Sequence, residues 1–132
     1  AMSLSDQFCV DRHKPHFLDL VKNKLDITFA NEQEITSLIE AKNFNEVINF
    51  SKQLNKLVIV TRGDKGAVAI NGEEIIESDI QKNLNIIDLT GAGDLFAAGF
   101  LHGYINKLPT KECLKKGTEM SSRVIQQIGA RL

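Results

Sequence analysis

Hydrophobic positions along this chain switch between helical and strand spacing, and each switch marks an expected element. After Pro15, the residues Phe17, Leu18, Leu20, Val21 and Leu25 recur as one face of an amphipathic helix. Leu25-Asp26-Ile27-Thr28-Phe29-Ala30 then reads as a short, largely buried strand. Asn31-Glu32-Gln33-Glu34 opens a helix carrying Ile35, Leu38 and Ile39, and Val47, Ile48, Phe50 and Leu54 predict another from Asn45 to Leu54. The run Lys56-Leu57-Val58-Ile59-Val60-Thr61 is rich in β-branched residues, as expected of a strand covered on both faces. Strand, helix, strand in that order argues for a parallel α/β sheet.

The second half opens on a hairpin signal. Asn71-Gly72 sits between Ala67-Val68-Ala69-Ile70 and Glu73-Glu74-Ile75-Ile76, which suits a type I′ turn. Glu77 to Asn85 is a polar connection. Leu95 to Ile105 is apolar on nearly all sides, so this helix is expected to be central and buried. Thr110 is the expected N-cap of a last helix running through Ile128. Gly117, Thr118, Ser121 and Ser122 give that helix a small-residue face, open to a flat adenine or to close helix packing. Ala1 to Asp6 reads as the end of a strand entering a turn, with Ser5 and Asp6 as turn or cap formers and Phe8 and Val10 as apolar anchors. The chain is thus expected to start mid-domain.

Composition narrows the classes. The 132 residues suit one domain with a real core, at 42% hydrophobic and 25% charged. A formal charge of -1 gives no electrostatic case for nucleic acid or an anionic membrane. Cys9 and Cys113 are too few for a disulfide framework, fit a reducing cytoplasm, and read as small buried apolar residues. The longest apolar run, Leu95 to Leu101, is far too short to span a bilayer.

Candidate chemistry centres on Asp88-Leu89-Thr90-Gly91-Ala92-Gly93-Asp94, where a glycine-containing turn meets the apolar helix. Backbone N–H groups at a helix start lack intrahelical partners and carry the positive end of the helix dipole, so they favour an anion. Small residues at Gly91, Ala92 and Gly93 permit close approach of a phosphate. A carboxylate there would repel that ligand unless Asp94 takes a proton from an alcohol while the amides hold charge developing on a transferred phosphoryl group. The plain alternative is an acidic helix cap on an ordinary glycine turn. A dinucleotide fingerprint is rejected, because Phe96 stands where the third glycine of G-x-G-x-x-G belongs and no suitable βαβ unit follows.

The D-x-T-G-A-G-D string before an apolar helix resembles the signature of the ribokinase/PfkB family of carbohydrate and nucleoside kinases. The resemblance implies an ATP-dependent kinase on a ribokinase-like α/β fold, with Asp94 as catalytic base and Gly91, Ala92 and Gly93 as anion hole. Ser5 to His13 resembles the adenosine-kinase-like S-D-x-F-C-V-x-R-H, and Ser122 to Arg131 resembles that branch's ending. His13 itself, lacking partners at metal spacing, reads as structural or surface. Asn31 and Glu34 match both a capping box and the family's N-x-x-E, where the carboxylate organises Mg²⁺ and phosphate through waters. Thr61, Gly63 and Gly66 match T-x-G-x-x-G, along which ATP lies, or an ordinary turn; no Walker A lysine follows, and Arg62 and Lys65 either assist phosphate binding or, the safer reading, are exposed side chains.

Asp88 either braces the loop by hydrogen bonds or, with Thr90, Val124, Gln127 and Gly129, supplies the K⁺ ligands used by some family members. The resemblance also implies that residues 1–132 form the carboxyl-terminal, nucleotide-binding part, with the substrate-binding half and lid absent. The expected acceptor is a primary alcohol on a small-molecule nucleoside, adenosine preferred, or on a sugar. Little activity is expected from this chain alone, and an apolar sheet edge would invite homo-oligomers. A non-catalytic nucleotide-binding or sensing module of the same fold is the alternative, disfavoured because a binder has no need of the base.

Overall fold

The computed structural model describes residues 1–4, 6–79 and 81–132; the cap or turn role expected of Ser5 lies outside the described residues. Among the described residues, five strands form one sheet in the order β1 (Met2–Ser3), β2 (Ile27–Asn31), β3 (Leu57–Thr61), β4 (Ala67–Asn71) and β5 (Glu74–Glu77). The first three are parallel, with Met2 opposite Thr28 and Asn31 opposite Thr61. The contacts divide the chain into two compact units, residues 1–62 with 69–75, and residues 63–68 with 76–132.

In the first unit, β2 and β3 each bury four consecutive residues, the mark of strands covered on both faces. Around them run α1 (Gln7–Arg12), α2 (Lys14–Asp19) continued by a π-helical turn at Leu20–Lys24, α3 (Glu32–Ile39) and α4 (Phe44–Leu54). Leu4, Val10, Val21, Ala30, Ile35, Leu38, Val47, Val58 and Val60 form its core. The helix expected after Pro15 is present, with Pro15 in its first turn, where a missing N–H costs nothing. Asp6 caps α1 by accepting from the Cys9 N–H at 2.8 Å.

Two expectations fail beside that cap. Phe8 is 80% exposed and anchors nothing among the described residues; of the pair, Val10 alone faces the core. Cys9 is exposed rather than buried, its thiol turned to the Asp6 carboxylate, which pushes the thiol pKa up; Cys113 is buried as expected. The β4–β5 hairpin occurs, but only Gly72 has a positive φ, at 58°. A type I′ turn needs positive φ at both central residues, so the expected turn type is wrong. Glycine is still favoured at position 72, because side chains rarely adopt that φ; the contact a Cβ would make, 2.8 Å from Oδ1 of Asn55, could be relieved by that side chain moving.

The second unit is built on α5 (Ala92–Ile105) and α6 (Thr110–Val124). Helix α5 is not buried all round. Phe96, Gly99, Phe100 and Gly103 form one buried stripe, while Tyr104 and Ile105 are 49% and 73% exposed. Pro109, not Thr110, occupies the N-cap of α6, because the helix begins one residue earlier than the threonine cap requires, and it ends at Val124 rather than Ile128. Gly117 on α6 lies against Phe96, where a Cβ would come within 2.8 Å of the Phe96 carbonyl oxygen, so this part of the small-residue face serves helix packing. Among the described residues, no helix is long and apolar enough to cross a membrane.

Candidate functional site

The mouth of α5 is shaped by its N-cap, Gly91, at φ 79°. That left-handed conformation suits glycine, and a Cβ would also lie 2.6 Å from the Ala130 Cβ. Gly91 is therefore fixed by two independent constraints. The first helical bond runs from the Leu95 N–H to the Gly91 carbonyl at 3.0 Å. Ala92 already donates its N–H to the Leu89 carbonyl at 3.2 Å. The N–H groups of Gly93 and Asp94 remain as donors, since helix geometry gives these positions no partner and none is made among the described residues. Gly93 is exposed, with nothing within 4 Å of where a Cβ would stand.

Asp94 sits in the same first turn, exposed, and makes no side-chain cap bond. A carboxylate there gains from the helix dipole, yet it is held by no hydrogen bond among the described residues. Its neighbour Asp88 is held strongly. Oδ1 of Asp88 accepts from the Thr90 N–H at 2.9 Å and from Thr90 Oγ1 at 2.6 Å, while Oδ2 accepts from the Gly129 N–H at 3.0 Å. These donors, the Thr90 hydroxyl first, hold the Asp88 carboxyl below its ordinary pKa. The bracing role is thus present. Of the other residues in the K⁺ set, the Val124 carbonyl accepts from the Gln127 N–H and the Gln127 side chain donates to the Arg131 carbonyl.

In the first unit, Asn31 and Glu34 form a complete capping box. The Glu34 N–H donates to Asn31 Oδ1 at 2.8 Å, and Glu34 accepts from the Asn31 N–H at 2.9 Å and from Nδ2 at 3.1 Å. Glu34 is 5% exposed, and burial raises its pKa, against which the Asn31 N–H works; the Asp6 charge adds to the rise. Both carboxylate oxygens are engaged, a donor set that suits a hydrated magnesium reached through water better than direct ligation. Among the described residues no group of three or more His, Cys, Asp or Glu could hold a metal ion.

The raised pKa has a measurable consequence. Between the unfolded value, about 4.3, and the higher folded one, the native state keeps a proton that the unfolded chain has released. Glu34 therefore makes stability fall as pH rises through that window, and its contribution is level on either side. We expect Glu34→Gln to gain stability relative to wild type as pH is raised through the carboxylate range, read by urea unfolding at stepped pH.

Thr61 ends β3 opposite Asn31. A short 3₁₀ turn spans Gly63–Lys65, with Gly63 at φ 58° and Gly66 at φ 84°, and the Gly66 N–H donates to the Gly63 carbonyl at 3.2 Å. Both glycines are thus explained by backbone conformation alone. Lys65 and His13 are exposed as expected. Arg62 is not. Its guanidinium makes a two-pronged ion pair with Glu32, Nε to Oε2 at 3.1 Å and Nη2 to Oε1 at 3.3 Å, and lies 3.7 Å over the Phe44 ring. Sequence reasoning missed this group, because only the strand register places Glu32 and Arg62 side by side.

A parallel-cored mixed sheet flanked by helices makes this an α/β protein, and its likeness to a solved sugar kinase and a solved ribokinase makes the fold ribokinase-like. Residues 2–132 match the family described as pfkB family carbohydrate kinase, and the chain belongs to that family. It is 44% identical to a probable sugar kinase from Rhizobium etli, with a TM-score of 0.94 over 98% of this chain and 40% of that one. It is 40% identical to the adenosine kinase from Sinorhizobium meliloti, with a TM-score of 0.91 over 99% and 40%. A cytidine kinase from Thermococcus kodakarensis is 33% identical over 83% of this chain and 40% of its own length. The chain thus spans about two fifths of these relatives.

Proposed function

We propose that residues 1–132 are the carboxyl-terminal, nucleotide-binding part of an ATP-dependent kinase. It transfers the γ-phosphoryl group to a primary alcohol of a nucleoside, adenosine preferred, or of a sugar. The observation that supports this best is the mouth of α5, where among the described residues the Gly93 and Asp94 N–H groups make no turn or loop bond and the Asp94 carboxylate beside them has no hydrogen-bond partner. The span matched in relatives twice as long and more supports a substrate-binding portion elsewhere in the polypeptide.

In this reading Asp94 accepts the hydroxyl proton as the alcohol oxygen attacks, and the two amides stabilise negative charge building on the phosphoryl oxygens. Asp88 keeps the turn in shape. Thr61, Gly63 and Gly66 run along the nucleotide, and Asn31 and Glu34 hold magnesium through waters. Magnesium, when bound, neutralises phosphate charge. Asp88 and the neighbouring carbonyls are the proposed K⁺ ligands, and a cytoplasmic setting is proposed from the two free cysteines. Preference for adenosine rests on the resemblance to adenosine kinases.

The test is transfer of labelled γ-phosphate by the full-length polypeptide across a panel of nucleosides and sugars. Transfer to adenosine above all others is expected. Tight MgATP binding without transfer to any acceptor would favour a nucleotide-sensing module instead. A second test separates folding from chemistry at Gly93. Gly93→Ala meets no neighbour and replaces glycine within a helix, so stability should rise by about 0.5–1 kcal/mol. The added methyl would stand where phosphate must approach, so turnover should fall in the same variant. Unchanged turnover would argue that no ligand comes near Gly93.

A further inference from the structure

Asn31 and Thr61 are the last register partners of β2 and β3, and the residues that follow them, Glu32 and Arg62, join directly in the two-pronged ion pair. The pair is half-buried, with side-chain exposures of 19% for Arg62 and 34% for Glu32. Phe44, at the start of α4, covers the guanidinium face. Two helices, α3 through Glu32 and α4 through Phe44, thus converge on an arginine at the end of β3, which is held in plane and in position.

We propose that Arg62 is a positioning residue for nucleotide binding: through Glu32 and Phe44 it clasps the ends of β2 and β3 and so sets Asn31, Glu34 and Thr61, without itself touching phosphate. This rests on the kinase reading above. The physical reason is that a strand end beyond its last ladder bond frays easily, and a residue pair immediately past that bond stops the fraying. Glu32 is also the first residue of α3, so the clasp holds the turn of helix containing the Asn31–Glu34 box. The Nε and Nη2 side of the fork, the side that forms a two-pronged contact with an oxyanion, is taken by the Glu32 carboxylate, which also neutralises the charge a phosphate would seek.

Two readouts on the full-length polypeptide test it, with Arg62→Met, Arg62→Lys, Glu32→Gln and the exchanged pair Glu32→Arg with Arg62→Glu. Amide hydrogen exchange at Asn31, Glu34 and Thr61 should quicken in all three single variants, while Phe29 and Ile59, deeper in the ladder, keep wild-type protection. The MgATP dissociation constant should rise about tenfold in Arg62→Met and to a similar extent in Glu32→Gln. Arg62→Lys should recover only part, since an ammonium has no fork. Glu32→Arg and Arg62→Glu, each made singly as a control for the exchanged pair, should bind MgATP more weakly than the exchanged pair does. Unchanged exchange in Arg62→Met and Glu32→Gln would overturn the clasp whatever the protein binds. Weakened MgATP binding in Arg62→Met with wild-type binding in Glu32→Gln would overturn it differently, by showing that arginine meets the nucleotide directly. Altered exchange in a protein whose wild type does not bind MgATP would overturn the nucleotide role, and the kinase reading with it.

Discussion

Replacing Asp94 by Asn should lower kcat by about 10²- to 10⁴-fold, the usual worth of a positioned general base, while the dissociation constant for ATP stays within about threefold of wild type. The expectation follows from the placement of the side chain. Asp94 is exposed at the mouth of α5 and carries no hydrogen bond among the described residues, so its loss opens no cavity and strands no partner. An amide of the same shape cannot accept the hydroxyl proton. It also removes a negative charge from beside the bound phosphates, so ATP affinity should hold or improve slightly. The helix loses a favourable dipole partner, and a small drop in stability is the expected cost. Kinetics with the full-length polypeptide and parallel ATP titration decide the matter. A variant that turns over near the wild-type rate would remove Asp94 from the chemistry, and one that loses ATP binding as well would make it a binding residue.

A larger effect on folding is expected one turn and a half further along the same helix. Gly99→Ala should destabilise the protein by about 1–3 kcal/mol. A Cβ at position 99 would lie 2.6 Å from the Lys116 carbonyl oxygen, 2.9 Å from the Lys116 carbonyl carbon and 3.0 Å from the Gly117 Cα. All three are backbone atoms, so no side chain can swing away and α5 and α6 must separate. The contact is reciprocal, because Gly117 meets the Phe96 carbonyl from the other side. Helix propensity alone predicts the opposite sign, since alanine outranks glycine by close to 1 kcal/mol. Gly93→Ala, in the open first turn, should show that ordinary gain. The two substitutions on one helix therefore shift the urea midpoint in opposite directions, and a stabilised Gly99→Ala would show that the helices do not meet there.

Much of the first unit was legible in the sequence because burial and periodicity agree there. Lys56 to Thr61 reads as a covered strand, and Leu57–Thr61 is one; Asn31 and Glu34 read as a capping box, and all its bonds are present. Helix α5 was harder. Its buried stripe runs through Gly99 and Gly103, residues that carry no hydropathy signal, while exposed Tyr104 and Ile105 carry a strong one. Pattern reading therefore buried the whole helix. In the hairpin, Asn71-Gly72 located the turn without fixing which residues take positive φ. Phe8 shows the same limit: an aromatic residue in a polar stretch looks like an anchor until the cap at Asp6 sets which face α1 turns inward.

The candidate site divides the same way. The turn at the mouth of α5 could be placed from a short string, because glycine spacing before an apolar run encodes it, and Gly91 is its N-cap. That Ala92 would spend its N–H on Leu89 could not be seen, since it depends on how tightly the turn closes. Neither could the tie from Asp88 to Gly129, which joins distant stretches, nor the burial of Arg62 under Phe44. Such features belong to tertiary packing and leave no local trace.

Central to all of this is the claim that the Gly93 and Asp94 amides receive a phosphate. The most direct measurement is amide NMR of the full-length polypeptide titrated with a non-hydrolysable ATP analogue and magnesium. The account predicts large downfield shifts at the Gly93 and Asp94 N–H groups, saturating together with binding, and little change at Ala92, whose N–H is already engaged. Saturable binding that leaves the Gly93 and Asp94 resonances in place would contradict it.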